Sequence, residues 1–149
     1  MADHEHYMRI ALEEAERGAA EGNAAVGSIL VGVERVVVRG RNLVTSTSDP
    51  TAHAETVALR HAGEQLGHTD LSKLTLYTTF EPCPMCCGAI LASGVHTLVM
   101  GARHDLTQSR WGAYTVETLL ELTNRADQLI VITGILTQAC ADVRKLETE

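Results

Sequence analysis

Five short runs rich in β-branched residues, at about 26–33, 36–38, 74–79, 96–100 and 129–133, alternate with stretches patterned at helical spacing. Strands separated by helices build a sheet covered on both faces, so the chain is expected to be α/β, in a three-layer α/β/α arrangement. The first helix is predicted over His4–Glu21, where Met8, Ala11, Leu12, Ala15 and Ala19 form one apolar stripe and Gly22 follows as a stop. Residues 32–35 read as the turn of a hairpin between the first two strands, which makes the sheet mixed. Asp49-Pro50 is predicted to start a helix running to Leu66, with Asp49 as cap and Pro50 in the first turn. Later helices are expected to Ser93, closed by Gly94, then over 114–122 and 136–146, with 101–112 as loop.

At 149 residues, and with no repeat or linker-like stretch, the chain fits one domain over 1–149. No run approaches the roughly 18 apolar residues of a membrane span. The polar start is unlike a secretory signal, so a cytoplasmic location is expected. Twelve Lys and Arg against 19 Asp and Glu give a net charge of −7. That field repels polyanions and weighs against nucleic acid as a partner, although a local basic patch can still bind one.

Three of the four cysteines, Cys83, Cys86 and Cys87, lie within five residues. Such clustering suits metal binding better than a disulfide framework. Zinc takes imidazole nitrogen and thiolate sulfur, commonly as four tetrahedral ligands. His53 with Cys83 and Cys86 supplies three, and a three-ligand site leaves a position for water. The Cys83-x-x-Cys86 spacing puts both sulfurs on a first helical turn, where the helix dipole favours thiolate. Glu55 lies two residues from His53. Within a regular helix those side chains would diverge, whereas at a helix start beside a second helix end they can share a site. His-x-Glu followed by Pro-Cys-x-x-Cys is the pattern of zinc deaminases that act on bases.

On these residues the chain resembles the cytidine deaminase-like superfamily, and within it the branch of tRNA adenosine, guanine and cytosine deaminases. The resemblance runs from about Tyr7 to Arg144. It is carried by Asp49-Pro50-Thr51-Ala52-His53-Ala54-Glu55, by Thr78–Ile90 around Pro82-Cys83-Pro84-Met85-Cys86, and by Gly40-Arg41-Asn42. It implies a mixed five-stranded sheet, a homodimer and one Zn2+ held by His53, Cys83 and Cys86. Glu55 is implied as proton shuttle, and Asn42 and Ala54 as substrate contacts. Three departures stand out: Ala25 occupies a place where proline is common, Cys87 a place where a small non-thiol residue is common, and the chain ends in an acidic rather than a basic segment.

The expected activity is hydrolytic removal of an exocyclic amino group from a small base or nucleoside, of guanine or cytosine type, with release of ammonia. The stretch Asn42–Glu55 resembles guanine deaminases, whereas Val131–Leu136 resembles the tRNA branch. The alternative is a tRNA wobble adenosine deaminase. The non-enzyme alternative is an interaction module whose structural zinc is closed by Cys87, Cys140 or His96. His104 and Trp111, which follow the fourth strand, are expected at the substrate rim; Trp111 can stack on a base or fill core. Arg103 and Arg110 can meet phosphate or simply be solvated. His4, His6, His61 and His68 are expected on the surface.

Overall fold

The computed structural model describes residues 3–147. Its order is α1 (His4–Ala20), β1 (Gly27–Val31), β2 (Val36–Arg41), α2 (Val44–Thr47), α3 (Ala54–Leu66), β3 (Thr75–Phe80), α4 (Pro84–Ser93), β4 (Thr97–Ala102), α5 (Val116–Leu122), β5 (Ile130–Ile132) and α6 (Thr137–Val143), then a 3₁₀ turn, Arg144–Leu146. The five strands form one mixed sheet in the order β2-β1-β3-β4-β5. β1 is antiparallel to both β2 and β3, and β3-β4-β5 are parallel. The α/β/α architecture with a mixed five-stranded sheet is therefore as the sequence indicates.

Alternation along the strands separates two cores. Leu30, Leu76 and Leu98 face α3, α4 and α5, where Ala58, Ala62, Cys87, Ile90, Val116 and Leu120 pack. Their neighbours Ile29, Tyr77 and Val99 face α1 and α6, against Met8, Ala11 and Cys140. With few aromatics available, layers close by direct backbone approach. A Cβ at Gly27 would stand 2.0 Å from the Ala11 carbonyl of α1, and one at Gly40 would stand 2.8 Å from the Ala54 carbonyl of α3. Glycine at these two positions lets a helix rest on each face.

Three local readings change. α3 begins at Ala54, not near Pro50, because the Asp49 carboxylate accepts from the N–H and hydroxyl of Thr51 and folds 49–51 into a turn. α2 was not anticipated; its first turn is held by side chains, with Asn42 Oδ1 accepting from Val44 N–H and Asn23 Oδ1 from Thr45 and Ser46. The last helix ends at Val143 and tightens into the 3₁₀ turn. Among the described residues no helix is long and apolar enough to cross a membrane. His4, expected on the surface, instead bonds the Tyr77 hydroxyl at 2.8 Å.

The strand directions decide where chemistry can sit. Because β1 opposes its neighbours, β2, β3 and β4 all point their C-terminal ends at one edge, beside the start of β1. Asn42, Glu81 and Arg103 lie just past those ends, and α3 and α4 begin there. Ligands in open α/β sheets bind at such an edge.

Candidate active site

His53 is the N-cap of α3 and Cys83 the N-cap of α4, both with extended backbone. Pro84 occupies the first position of α4, where its missing N–H costs nothing. The cap geometry answers the question raised by His53 and Glu55. His53 stands outside the helical spiral while Glu55 is its second residue, so the two face one cavity despite their spacing. Both helices aim their N-termini at the site, and the dipoles favour anionic sulfur there.

The donor atoms of His53, Cys83 and Cys86 all lie within 4.8 Å of one another. Each sulfur is 3.5 Å from His53 Nδ1. A tetrahedral ion about 2.3 Å from sulfur and about 2.05 Å from nitrogen would separate those atoms by about 3.6 Å. The donors thus match zinc in type and in spacing. Among the described residues no further His, Cys, Asp or Glu joins the group. Cys87 and Cys140 are buried in the two cores, with their thiols pushed up to about 11 by burial. His96 bonds the Thr97 hydroxyl instead. Among the described residues no fourth protein ligand closes the site. The neighbouring Cys86 thiol and His53 favour a thiolate on Cys83, whereas that thiolate and burial disfavour charge on Cys86.

Glu55 is 4% exposed and lines the cavity. Burial raises its carboxyl to about 7, against its own backbone N–H, which favours the charged form. The cavity, about 410 Å³, runs from Glu55, His53 and Cys83 outward. Asn42, Ala54, His104 and Trp111, expected around the substrate, all line it. With Asn42 Oδ1 taken by Val44 N–H, its amide group is left to donate inward. His104 packs edge-on against Phe80 and Tyr114, and its Nε2 is buried with no hydrogen-bond partner among the described residues. Trp111 is half-buried, with the Arg110 guanidinium over its ring at 4.8 Å.

Sequence reasoning missed Glu81, whose side chain is 1% exposed. It accepts from Val116 N–H at 2.9 Å, His104 N–H at 3.1 Å and Arg103 Nη2 at 2.9 Å. One carboxylate thus anchors both ends of the loop that carries His104 and Trp111. Burial opposes its charge, but Arg103 and the two N–H groups outweigh burial and hold its pKa low. Arg103, read as phosphate-binding or solvated, is neither: it is clamped between Glu81 and Glu117. The available signal was a charged residue ending a buried strand directly before Pro82-Cys83. Arg144, whose side chain also lines the cavity, had no local signal.

Comparison with known proteins gives this geometry its context. The sequence pattern of the cytidine and deoxycytidylate deaminase zinc-binding region matches residues 1–102. A tRNA-specific adenosine deaminase of Haemophilus influenzae is 39% identical over 152 residues, spanning 97% of this chain and 81% of its own. The chloroplastic tRNA(adenine(34)) deaminase of Arabidopsis thaliana is 46% identical over 102 residues, which is 68% of this chain but only 8% of that protein. The guanine deaminase of Nitrosomonas europaea superposes with a TM-score of 0.83 at 30% identity, covering 99% of this chain and 86% of that one. The chain belongs to the cytidine and deoxycytidylate deaminase family of zinc-binding proteins.

Proposed function

We propose that this zinc deaminase acts on adenosine in tRNA, converting it to inosine with release of ammonia. The observation that carries the reading is the likeness to the Haemophilus influenzae tRNA-specific adenosine deaminase along nearly the whole chain. It displaces the expectation of a small guanine- or cytosine-type substrate, which rested partly on the net charge of −7. Charge summed over a chain governs long-range attraction, whereas a flipped nucleotide is held by the groups at the mouth. Here these are Trp111, able to stack on a base, and the guanidiniums of Arg110 and Arg144.

The reaction adds water at the amino-bearing carbon and expels the amine. Zinc, when bound, supplies Lewis acidity that makes a water nucleophilic near neutral pH. Two thiolates, Cys83 and Cys86, offset the formal charge of such an ion, so a neighbouring base is needed. Glu55 fills that role: its carboxylate takes a proton from water and passes it to the adjacent ring nitrogen, then takes the remaining proton from the added hydroxyl and gives it to the leaving amine. Asn42 donates its amide N–H to an acceptor on the base. Ala54, without a bulky side chain, leaves room for the ring plane, and His104 borders the sugar. A homodimer belongs to this reading.

A second reading, deamination of free guanine, is favoured by the superposition on the Nitrosomonas europaea enzyme. Ammonia release separates the two. The zinc-loaded protein is incubated with cytosine, guanine, adenine, their nucleosides and an anticodon stem-loop. Turnover of the stem-loop is expected, with an affinity that falls by about two to three decades per decade of salt if three or four phosphates are contacted. Release from guanine alone, with no RNA binding at low salt, would overturn the tRNA reading.

A further inference from the structure

One wall of the cavity is tied together by a bond across 122 residues of sequence. Ala25 N–H donates to Glu147 Oε1 at 3.0 Å. The same oxygen is 2.8 Å from Arg144 Nε. The Arg144 guanidinium in turn lies over the Phe80 ring, 4.4 Å from its centroid. Ala24, Val26, Phe80 and Arg144 all line the cavity. The 3₁₀ turn is thus latched to the start of β1, and its arginine is fixed on the wall. Residue 25 can give this bond because it is not proline, which has no N–H.

Arginine carries five N–H donors. Glu147 and Phe80 hold the Nε edge and one face, and the two Nη groups have no hydrogen-bond partner among the described residues. A guanidinium fork immobilised from behind is a receptor for an oxyanion whose ordering cost is already met. Glu147 also compensates the arginine's charge until an anion arrives. The depth fits: Glu55 sits on the floor at 4% exposure, while the Arg144 side chain is 34% exposed at the rim. A base on the floor directs its sugar and phosphate outward. Arg110 borders the same mouth, but it is exposed, and its guanidinium lies over the Trp111 ring.

We propose that Arg144 binds a phosphate oxygen of the substrate nucleotide, with Glu147 and the Ala25 N–H as positioning groups. The inference rests on the deaminase reading of this cavity, but not on which base is deaminated. The phosphate is either the terminal group of a mononucleotide or a link in an RNA backbone.

Trp111, the only tryptophan, lines the cavity, so its fluorescence reports occupancy without turnover. Zinc-loaded protein carrying Glu55→Gln is titrated with adenosine, AMP, inorganic phosphate and an anticodon stem-loop. A charge-assisted pair is expected to make AMP bind about tenfold tighter than adenosine, or to strengthen the stem-loop by as much. Arg144→Gln removes that gain and Arg144→Lys keeps part of it. Ala25→Pro and Glu147→Ala weaken it, Glu147→Gln retains it through its amide oxygen, and Arg110→Gln lowers it less than Arg144→Gln. Loss confined to AMP identifies a terminal phosphate, and loss on the stem-loop a backbone one. If Arg144→Gln alters neither affinity, the inference is overturned. Should ammonia release assign guanine as the base, GMP and guanosine replace AMP and adenosine, so base identity and phosphate contact are decided separately.

Discussion

Replacing Glu55 by glutamine is expected to lower kcat by about 10²–10⁴-fold, the usual contribution of a positioned proton-transfer group. The substitution keeps the side chain's size, so zinc content and fold are retained. Stability supplies a second readout with a defined sign. Burial raises the Glu55 carboxyl from 4.5 to about 7. A carboxylate whose folded pKa lies above its unfolded value costs stability when ionised. That cost is absent below about pH 4.5 and complete above about pH 7. Zinc-free Glu55→Gln is therefore expected to melt higher than the zinc-free wild type at pH 8, and the difference shrinks as pH falls to 5. Loss of turnover together with a gain in Tm separates a group kept for chemistry from one kept for packing. Near-normal turnover in the variant would remove Glu55 from the mechanism.

Loss of one metal ligand is expected to have an effect as large. Cys86 is fully buried and its sulfur faces His53 Nδ1. Cys86→Ser offers a poor zinc ligand in nearly the same volume, so zinc should fall from about one per chain toward zero and ammonia release should drop below detection. Chelation of the wild type should give the same loss, reversed by zinc. The variant should not be rescued. Because binding favours the folded state with the logarithm of ligand excess over Kd, a hundredfold excess adds about 2.7 kcal/mol. Chelated wild type should therefore melt lower than the loaded protein, and Cys86→Ser should show no such difference. Full zinc content in the variant would mean that the ion sits elsewhere.

The fold was legible wherever the physics is local. The α1 stripe, the hairpin turn at 32–35, and the Gly94 stop of α4 are written in neighbouring residues, and each is observed. The cluster of His53, Cys83 and Cys86, placed to hold a metal ion, was legible for the same reason: two short segments at helix starts hold all three. What the sequence concealed depends on distant partners. β2 continues through Arg39-Gly40-Arg41, a stretch with no strand-like appearance, because it pairs with β1 and because α3 needs the bare Gly40 surface. α2 exists because Asn23 and Asn42 hold its first turn. The helix start misplaced at Asp49 shows a proline and a capping residue serving a turn instead. Glu81 meets Val116 from 35 residues away, and Glu147 meets Ala25 from 122. No periodicity or motif records such contacts, and they are the ones that shape the mouth of the cavity.

X-ray absorption at the zinc edge of the loaded protein tests the central claim most directly. The account predicts two sulfur neighbours at about 2.3 Å, one imidazole nitrogen at about 2.0–2.1 Å, and one further light atom from solvent. A third sulfur, or a second imidazole in place of solvent, would close the site and contradict it.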